Sequence, residues 1–197
     1  KRMNISETDI VISGGGVAGL TAACAFGSAG FSVLCVDPAP PVTDADSDGA
    51  DLRTTAFLQP AVEVLRAAGL WDRLSPHAAA LQVMRIVDAA PGAEGPHRVK
   101  DFDAAEISDL PFGWNLPNWL LRREMVARLA DLPTVNFRPG IATTALFTRE
   151  GESRVTLSDG TRVATRLVIA ADGRDSALRA QAGIGVKTTR YGQKALS

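Results

Sequence analysis

An α/β fold built on a parallel sheet is what this sequence predicts, and three observations carry that expectation. Asp9-Ile10-Val11-Ile12-Ser13 is a short apolar run that stops in Gly14-Gly15-Gly16. Small residues then dominate from Val17 to Ala29 and end at Gly30. Phe31 to Asp37 is a second apolar run, closed by a carboxylate. Strand, tight turn, helix, helix stop and strand make one βαβ unit, in which two parallel strands need a crossover helix.

The rest of the chain follows in order. Pro38 to Asp51 is rich in proline, alanine and aspartate without periodicity and reads as a loop. From Thr55 to Leu74 the apolar positions Val62, Leu65 and Leu70 recur at helical spacing, closed by Gly69 and Pro76, which predicts a helix. Leu81 to Val87 has strand composition, Pro91 to Pro96 is a turn, and Arg98 to Phe102 is a short strand, so this stretch reads as an antiparallel excursion. Trp119 to Leu132 returns to helical spacing through Leu121, Met125 and Leu129. Arg154–Leu157 and Arg162–Ala164 flank Ser158-Asp159-Gly160-Thr161 and predict a hairpin on an Asp-Gly turn. Leu167 to Ala171 follows as an apolar strand that stops at Asp172-Gly173.

Composition narrows the function. With 197 residues, 46% of them hydrophobic and 22% charged, the chain is globular with a real core. Twenty-one basic against 22 acidic residues give a net charge of -1, which builds no positive surface for nucleic acid. Cys24 and Cys35 lie in apolar segments outside any Cys-x-x-Cys spacing and read as reduced, buried thiols. With His77 and His97 also outside ligand spacing, a structural zinc site is excluded. No window reaches 18 continuous apolar residues, and the polar stretch Lys1 to Asp9 lacks the apolar region of a signal peptide, so the expected compartment is cytoplasmic.

Gly14-x-Gly16-x-x-Gly19 is the strongest chemical signal. The first glycine permits a tight turn, the second a close approach of backbone to pyrophosphate, and the third close packing of helix on strand. The helix starting there aims its free amides and positive dipole end at phosphate. Asp37 stands 23 positions after Gly14, where a carboxylate accepts both hydroxyls of an adenosine ribose and repels a 2'-phosphate. A Rossmann-like dinucleotide site is therefore expected.

Other signals are weaker. Asp44-x-Asp46-x-Asp48-Gly49 imitates the start of a calcium loop, but Thr55 replaces the closing glutamate, so it reads as a solvated acidic loop. Arg53, taken alone, reads as a surface cation. Of Arg122 and Arg123, at a helix start, one has room to face solvent while the other reaches a phosphate. Trp71, Trp114 and Trp119 have no basic stripe beside them and read as core or domain-interface packing.

Ala170-Ala171-Asp172-Gly173-Arg174-Asp175, at the end of an apolar strand, adds a second motif. Together with Gly14 to Gly19 it resembles the Asp-Gly motif of single-component flavin monooxygenases of the para-hydroxybenzoate hydroxylase fold. Asp51 to Leu58, read as helix-like, Ala68-Gly69-Leu70-Trp71-Asp72, Arg122-x-x-Met125-x-x-x-Leu129 and Tyr191 to Leu196 are similar to one branch, the ubiquinone-biosynthesis hydroxylases. The resemblance runs from Asp9 to Ser197. It implies an α/β, Rossmann-like FAD-binding domain with part of an antiparallel β-sheet substrate domain. The implied division is 1–78 and 116–184 for FAD, 79–115 for a substrate-domain excursion, and 185–197 for the start of the return into the substrate domain.

Position by position, the resemblance implies that Gly14, Gly15, Gly16, Val17, Ala18 and Gly19 wrap the FAD pyrophosphate. Asp37 binds the adenosine ribose, Arg53 sits on the flavin side, Arg122 supports the cofactor from the neighbouring helix, and Asp172 reaches the phosphate-ribityl region. Ser13 and Gln59-Pro60 depart from the usual pattern without removing a cofactor group. The implied chemistry is reduction of FAD by NADH or NADPH, formation of a flavin C4a-hydroperoxide with O2, and oxygen transfer to a prenylated phenol. It assigns no acid-base residue in this segment. A lipid-tailed substrate implies contact with the inner-membrane surface or with quinone-pathway proteins. The family's third, Gly-Asp motif is absent before Ser197, so the chain is expected to be the N-terminal half of a protein of about 400 residues and inactive alone. Two rivals share the glycine turn: an NAD-dependent dehydrogenase, and a non-enzymatic scaffold of the Rab-escort type.

Overall fold

A computed structural model of the chain describes residues 5–89, 92 and 95–193. In chain order it contains β1 (Ile5–Ser13), α1 (Val17–Ser28), β2 (Val33–Asp37), β3 (Thr54–Leu58), α2 (Gln59–Ala67), α3 (Trp71–Leu74), β4 (Ala79–Ala80), β5 (Val83–Asp88) and β6 (Arg98–Asp103). These are followed by β7 (Gly113–Pro117), α4 (Asn118–Ala130), β8 (Val135–Pro139), β9 (Thr143–Arg149), β10 (Glu152–Leu157), β11 (Arg162–Ala170) and α5 (Ala177–Gln181). Six strands form the main sheet in the order β8-β2-β1-β11-β10-β9. β8, β2, β1 and β11 run parallel, and β10 pairs antiparallel with both β11 and β9.

The expected α/β class is what the chain adopts. Ile10 to Ile12 of β1 and Val33 to Val36 of β2 are continuous apolar runs because both faces of the sheet are covered there. Ile10, Ile12, Val33 and Cys35 pack with Leu20 and Cys24 of α1 and with Leu121 and Met125 of α4. The alternate positions Val11, Leu34 and Val36 meet Val155, Leu157 and Val163 in a second, smaller core. That division is the period-two alternation of a strand. α1 lies close to its neighbours because its buried positions are small: a Cβ at Gly27 would fall 2.3 Å from Val135 Cγ2.

Several elements differ from the sequence expectation. The predicted helix from Thr55 to Leu74 is a strand, β3, followed by α2 and α3; the helix-like reading of Asp51 to Leu58 is likewise corrected. Thr54 to Leu58 pairs antiparallel with β7 from Pro117 to Gly113, and this partner some 60 residues along the chain overrides the local helical spacing. Helical periodicity holds only from Gln59, with Pro60 in the first turn. β1 starts at Ile5 instead of Asp9, because Ile5 to Thr8 pair with Arg162 to Thr165. The two expected strands at Arg162–Ala164 and Leu167–Ala171 are one strand, β11. β7, β8 and β9 were not expected; β8 carries Asn136, Arg138 and Pro139 and lies at a sheet edge, where a terminal proline is tolerated.

The antiparallel excursion expected from Leu81 to Phe102 forms as β5 paired with β6, while β3, β7 and β4 make a three-stranded sheet that was not expected. No strand of the main sheet lies between residues 79 and 115. Of the turn at Pro91 to Pro96, Pro91, Ala93 and Glu94 lie outside the described residues. Tyr191 to Gln193 carry no strand, and Lys194 to Ser197, like Lys1 to Asn4, lie outside the described residues. No helix among the described residues is long and apolar enough to cross a membrane.

Candidate functional site

The carboxyl ends of β1, β2 and β11 converge, which is where open α/β sheets bind ligands. Gly14 N–H donates to Val36 O at 2.8 Å and Ala171 N–H to Ser13 O at 2.8 Å, so the three strand ends are tied together. Gly14 has φ +115°, and a Cβ there would fall 2.1 Å from Ala171 O. At Gly19 a Cβ would fall 1.8 Å from Gly14 O, so the third glycine of the motif is required by the helix packing on the turn. At Gly15 it would fall 2.8 Å from Asp37 Cβ and 3.2 Å from the Phe137 ring.

Gly16 is different. Its backbone is an ordinary extended one, and a Cβ there would meet nothing within 4 Å. Internal packing therefore leaves room for a side chain that the sequence does not supply. Gly16 caps α1 without a side-chain hydrogen bond, no acid stands in the first turn, and the first intrahelical bond runs from Leu20 N–H to Gly16 O at 2.9 Å. The amides of Val17, Ala18 and Gly19 thus have no partner within the helix, over an open surface with the positive end of the helix dipole beneath it.

Asp37 lies at the end of β2 beside this surface. Its carboxylate accepts from Gly15 N–H at 2.5 Å and from Ala39 N–H at 2.8 Å. Two backbone donors hold it at the mouth of the turn.

A second cluster centres on Asp51. Arg53 donates through Nε at 2.8 Å and Nη2 at 2.9 Å to the two carboxylate oxygens, and its backbone N–H adds a bond of 3.3 Å. Asn118 Nδ2 donates at 3.0 Å, and Arg122 Nη2 lies 3.7 Å from Oδ2. The Arg53 bonds, with help from Asn118, hold the Asp51 carboxyl well below the usual range against the opposing effect of burial. A cleft of about 620 Å³ opens beside the cluster, lined by Leu52, Arg53, Thr54, Thr55 and Asn118. The neighbouring arginines are separated: Arg122 faces Asp51, while Arg123 stacks over Trp119 at 5.2 Å and pairs with Glu124 at 2.9 Å.

Asp172 faces inward. Its backbone N lies beside the position a Gly14 Cβ would take, but its carboxylate accepts from Ser176 Oγ at 2.5 Å and from Leu178 N–H at 3.2 Å, at the start of α5. Burial pushes its pKa up, and these bonds outweigh burial and hold the carboxyl below its ordinary value. Asp51, Asn118 and Ser176 were not singled out in the sequence; the only signal was the Asp-x-Arg spacing of Asp51 to Arg53.

The remaining candidates lie elsewhere. His77 and His97 are exposed. Trp71 and Trp114 pack edge to face at 5.3 Å. Cys24 and Cys35 are free, buried thiols that burial pushes up to about 12. Among the described residues no three His, Cys, Asp or Glu side chains gather in a way that could hold a metal ion, the Asp44–Asp48 loop included.

The ubiquinone hydroxylase UbiL of Rhodospirillum rubrum is 36% identical over 188 residues, which is 95% of this chain and 42% of that protein. The 3-demethoxyubiquinol 3-hydroxylase of Escherichia coli is 30% identical over 98% of this chain and 48% of its own length. The chain thus spans about half the length of the curated relatives it matches. The crystal structure of p-nitrophenol 4-monooxygenase PnpA from Pseudomonas putida DLL-E4 superposes with a TM-score of 0.71 at 22% identity, over 91% of this chain and 44% of that one, and shares the fold. Residues 7–196, from within β1 to beyond the Asp172 turn, match a single family along their whole length, and the chain belongs to it: the FAD binding domain family.

Proposed function

We propose that this chain is the N-terminal part of an FAD-dependent monooxygenase that hydroxylates a prenylated phenol in ubiquinone biosynthesis, with NADH or NADPH as electron donor and O2 as oxygen source. The observation that carries the reading is the likeness to two ubiquinone-pathway hydroxylases over nearly the whole chain, glycine turn and Asp172 turn included. In this reading residues 1–78 and 116–184 form the cofactor part, 79–115 an excursion toward the substrate, and 185–197 the start of the return to it.

The residues present fit FAD. The open surface over Gly16 accepts a pyrophosphate that any side chain there would obstruct, and the unpaired amides of Val17, Ala18 and Gly19 suit an anion. Gly14, Gly15 and Gly19 shape the turn below. Asp37, already oriented by two backbone donors, has acceptor capacity left for ribose hydroxyls. Arg53 and Arg122 would supply positive charge from the Asp51 cluster toward the rest of the cofactor. Asp172 would act at the phosphate-ribityl end mainly by fixing the backbone of its turn, since its carboxylate is engaged with Ser176 and Leu178.

FAD, when bound, supplies hydride acceptance and the activation of O2. The protein's share in this half is to hold the dinucleotide rigidly and orient it. No side chain here is assigned a proton-transfer role. A lipid-tailed substrate would bring the protein to a membrane surface.

The test is an absorption spectrum of the full-length protein through the flavin bands, with the released cofactor identified by chromatography, alongside quinone analysis of a deletion strain. Bound FAD with accumulation of an under-hydroxylated ubiquinone precursor is the expected result. A colourless protein that refuses FAD, or an unchanged quinone content, overturns the reading.

A further inference from the structure

Asp51 does more than neutralise Arg53. Its carboxylate is only 14% exposed, yet the Arg53 side chain it grips is 65% exposed. The grip is two-pronged: Nε and Nη2 of the planar guanidinium are both engaged, which fixes the plane of a side chain that lines the cleft, and Nη1 has no hydrogen-bond partner among the described residues. The carboxylate is itself oriented by a relay. Thr55 Oγ1 donates to Asn118 Oδ1 at 2.6 Å, which turns the amide so that Nδ2 donates to Asp51. The loop is pinned to the start of α4 by Asn118 N–H to Arg53 O at 2.9 Å and Trp119 N–H to Asp51 O at 3.3 Å. Arg122 approaches the same carboxylate from the next turn of α4. One anion thus holds two cations that would otherwise repel each other.

We propose that Asp51 is a positioning residue that presets the Arg53 guanidinium, with Arg122 behind it, for the flavin half of the cofactor. An unheld arginine with this exposure samples many rotamers and must be ordered when the ligand arrives; the Asp51 fork does the ordering beforehand. Removal of the carboxylate therefore weakens the ligand through Arg53 and leaves the adenosine half, held at the glycine turn and Asp37, untouched. The inference rests on the reading that Arg53 serves the cofactor.

The test is a double-mutant cycle on the full-length apoprotein, titrated with FAD and, separately, with ADP as a probe of the adenosine half. Arg53→Ala and Asp51→Asn are each expected to weaken FAD about tenfold or more and to change ADP affinity less than about twofold, with the double variant within about twofold of Arg53→Ala alone. Asp51→Glu, which keeps the charge but displaces the fork, should fall between wild type and Asp51→Asn, and it replaces Asp51→Asn in the cycle if that variant does not fold. If Arg53→Ala weakens FAD and Asp51→Asn does not, the positioning role fails while the cofactor reading stands. If Arg53→Ala binds FAD like wild type, the cofactor reading of Arg53 fails and takes the proposal with it. Fully additive losses, or a parallel loss of ADP, mean that Asp51 acts on the fold at large and overturn the proposal.

Discussion

The backbone N–H of Gly15 donates to Asp37 Oδ2 at 2.5 Å, so the carboxylate that ends β2 is also a clip on the glycine turn that follows β1. In the proposed reading ligand recognition and turn geometry share this one side chain. Asp37→Ala is expected to weaken FAD by about 1–3 kcal/mol, the scale of a lost hydrogen bond to a charged group, and to lower stability as well. Asp37→Asn keeps an acceptor for the Gly15 N–H and should recover most of the stability but not the affinity. Urea unfolding and FAD titration of both variants separate the two effects.

Gly16 and Gly19 belong to one motif and should fail in opposite ways. Gly16→Ala has space in the fold and should unfold at the wild-type denaturant midpoint while losing cofactor affinity. Gly19→Ala drives a methyl into Gly14 O and should cost about 3 kcal/mol or more of stability, at or beyond the usual range for overpacking. Equal stability losses in the two variants would show that the space above Gly16 is not free.

Arg128 ties three helices together. Its Nη2 donates to Ser28 Oγ at 3.1 Å and its Nε to Ala68 O at 3.3 Å, and Ser28 Oγ donates to the same carbonyl at 3.0 Å. A Cβ at Gly69, where φ is +69°, would sit 2.9 Å from this guanidinium. Arg128→Met should destabilise by about 1–3 kcal/mol, the cost of a carbonyl left short of its charged donor. Calorimetry checks the size, and flavin titration should show an unchanged affinity.

Acid should act on the sheet's antiparallel end. Backbone and side-chain bonds from Thr161, together with Arg138, hold the Asp159 carboxyl down to about 2. A carboxylate lowered in the folded state contributes stability above its unfolded pKa, and that contribution fades as pH falls from about 3.9 through the folded value. Asp159→Asn should therefore be less stable than wild type at neutral pH, and the two curves should converge by about pH 2. Urea midpoints across pH 2–5 measure the convergence.

The thiols should be silent. Burial pushes Cys24 and Cys35 to about 12, and both are enclosed by the main core. Native protein at pH 8 is expected to resist alkylation at either position on the timescale of minutes, and unfolded protein to react at both. Mass spectrometry of iodoacetamide-treated samples reads the difference.

Legibility in the sequence follows the range of the interactions. β1, α1 and β2 could be read because their partners are each other, and the turn between them needs glycine for reasons local to it. β3 could not: Thr54 to Leu58 is a strand because Gly113 to Pro117 lies beside it, and Gly113 is glycine because a Cβ there would fall 2.2 Å from Phe57 O. The site divides the same way. Gly14 to Gly19 and Asp37 stood out by spacing, and Arg53 and Arg122 came from resemblance. Asp51 looked like the end of an acidic loop, because the partners that give it a role, Asn118 and Arg122, lie more than 60 residues away in the chain.

The placement of β1 between β2 and β11 sets a timetable for synthesis. Ile10 to Ser13 can pair with Val33 to Val36 early, but the other edge of β1, from Ile5 to Ser13, waits for Arg162 to Ala170. At about 5–20 residues per second that wait lasts roughly 8–30 seconds, during which the first strand has an open, apolar edge. The glycine turn is locked only when Ala171 N–H reaches Ser13 O, so the turn is unfinished until β11 has left the ribosome. Under the proposed reading cofactor loading follows the emergence of β11, and chaperone protection of Ile5 to Asp37 should matter most before it.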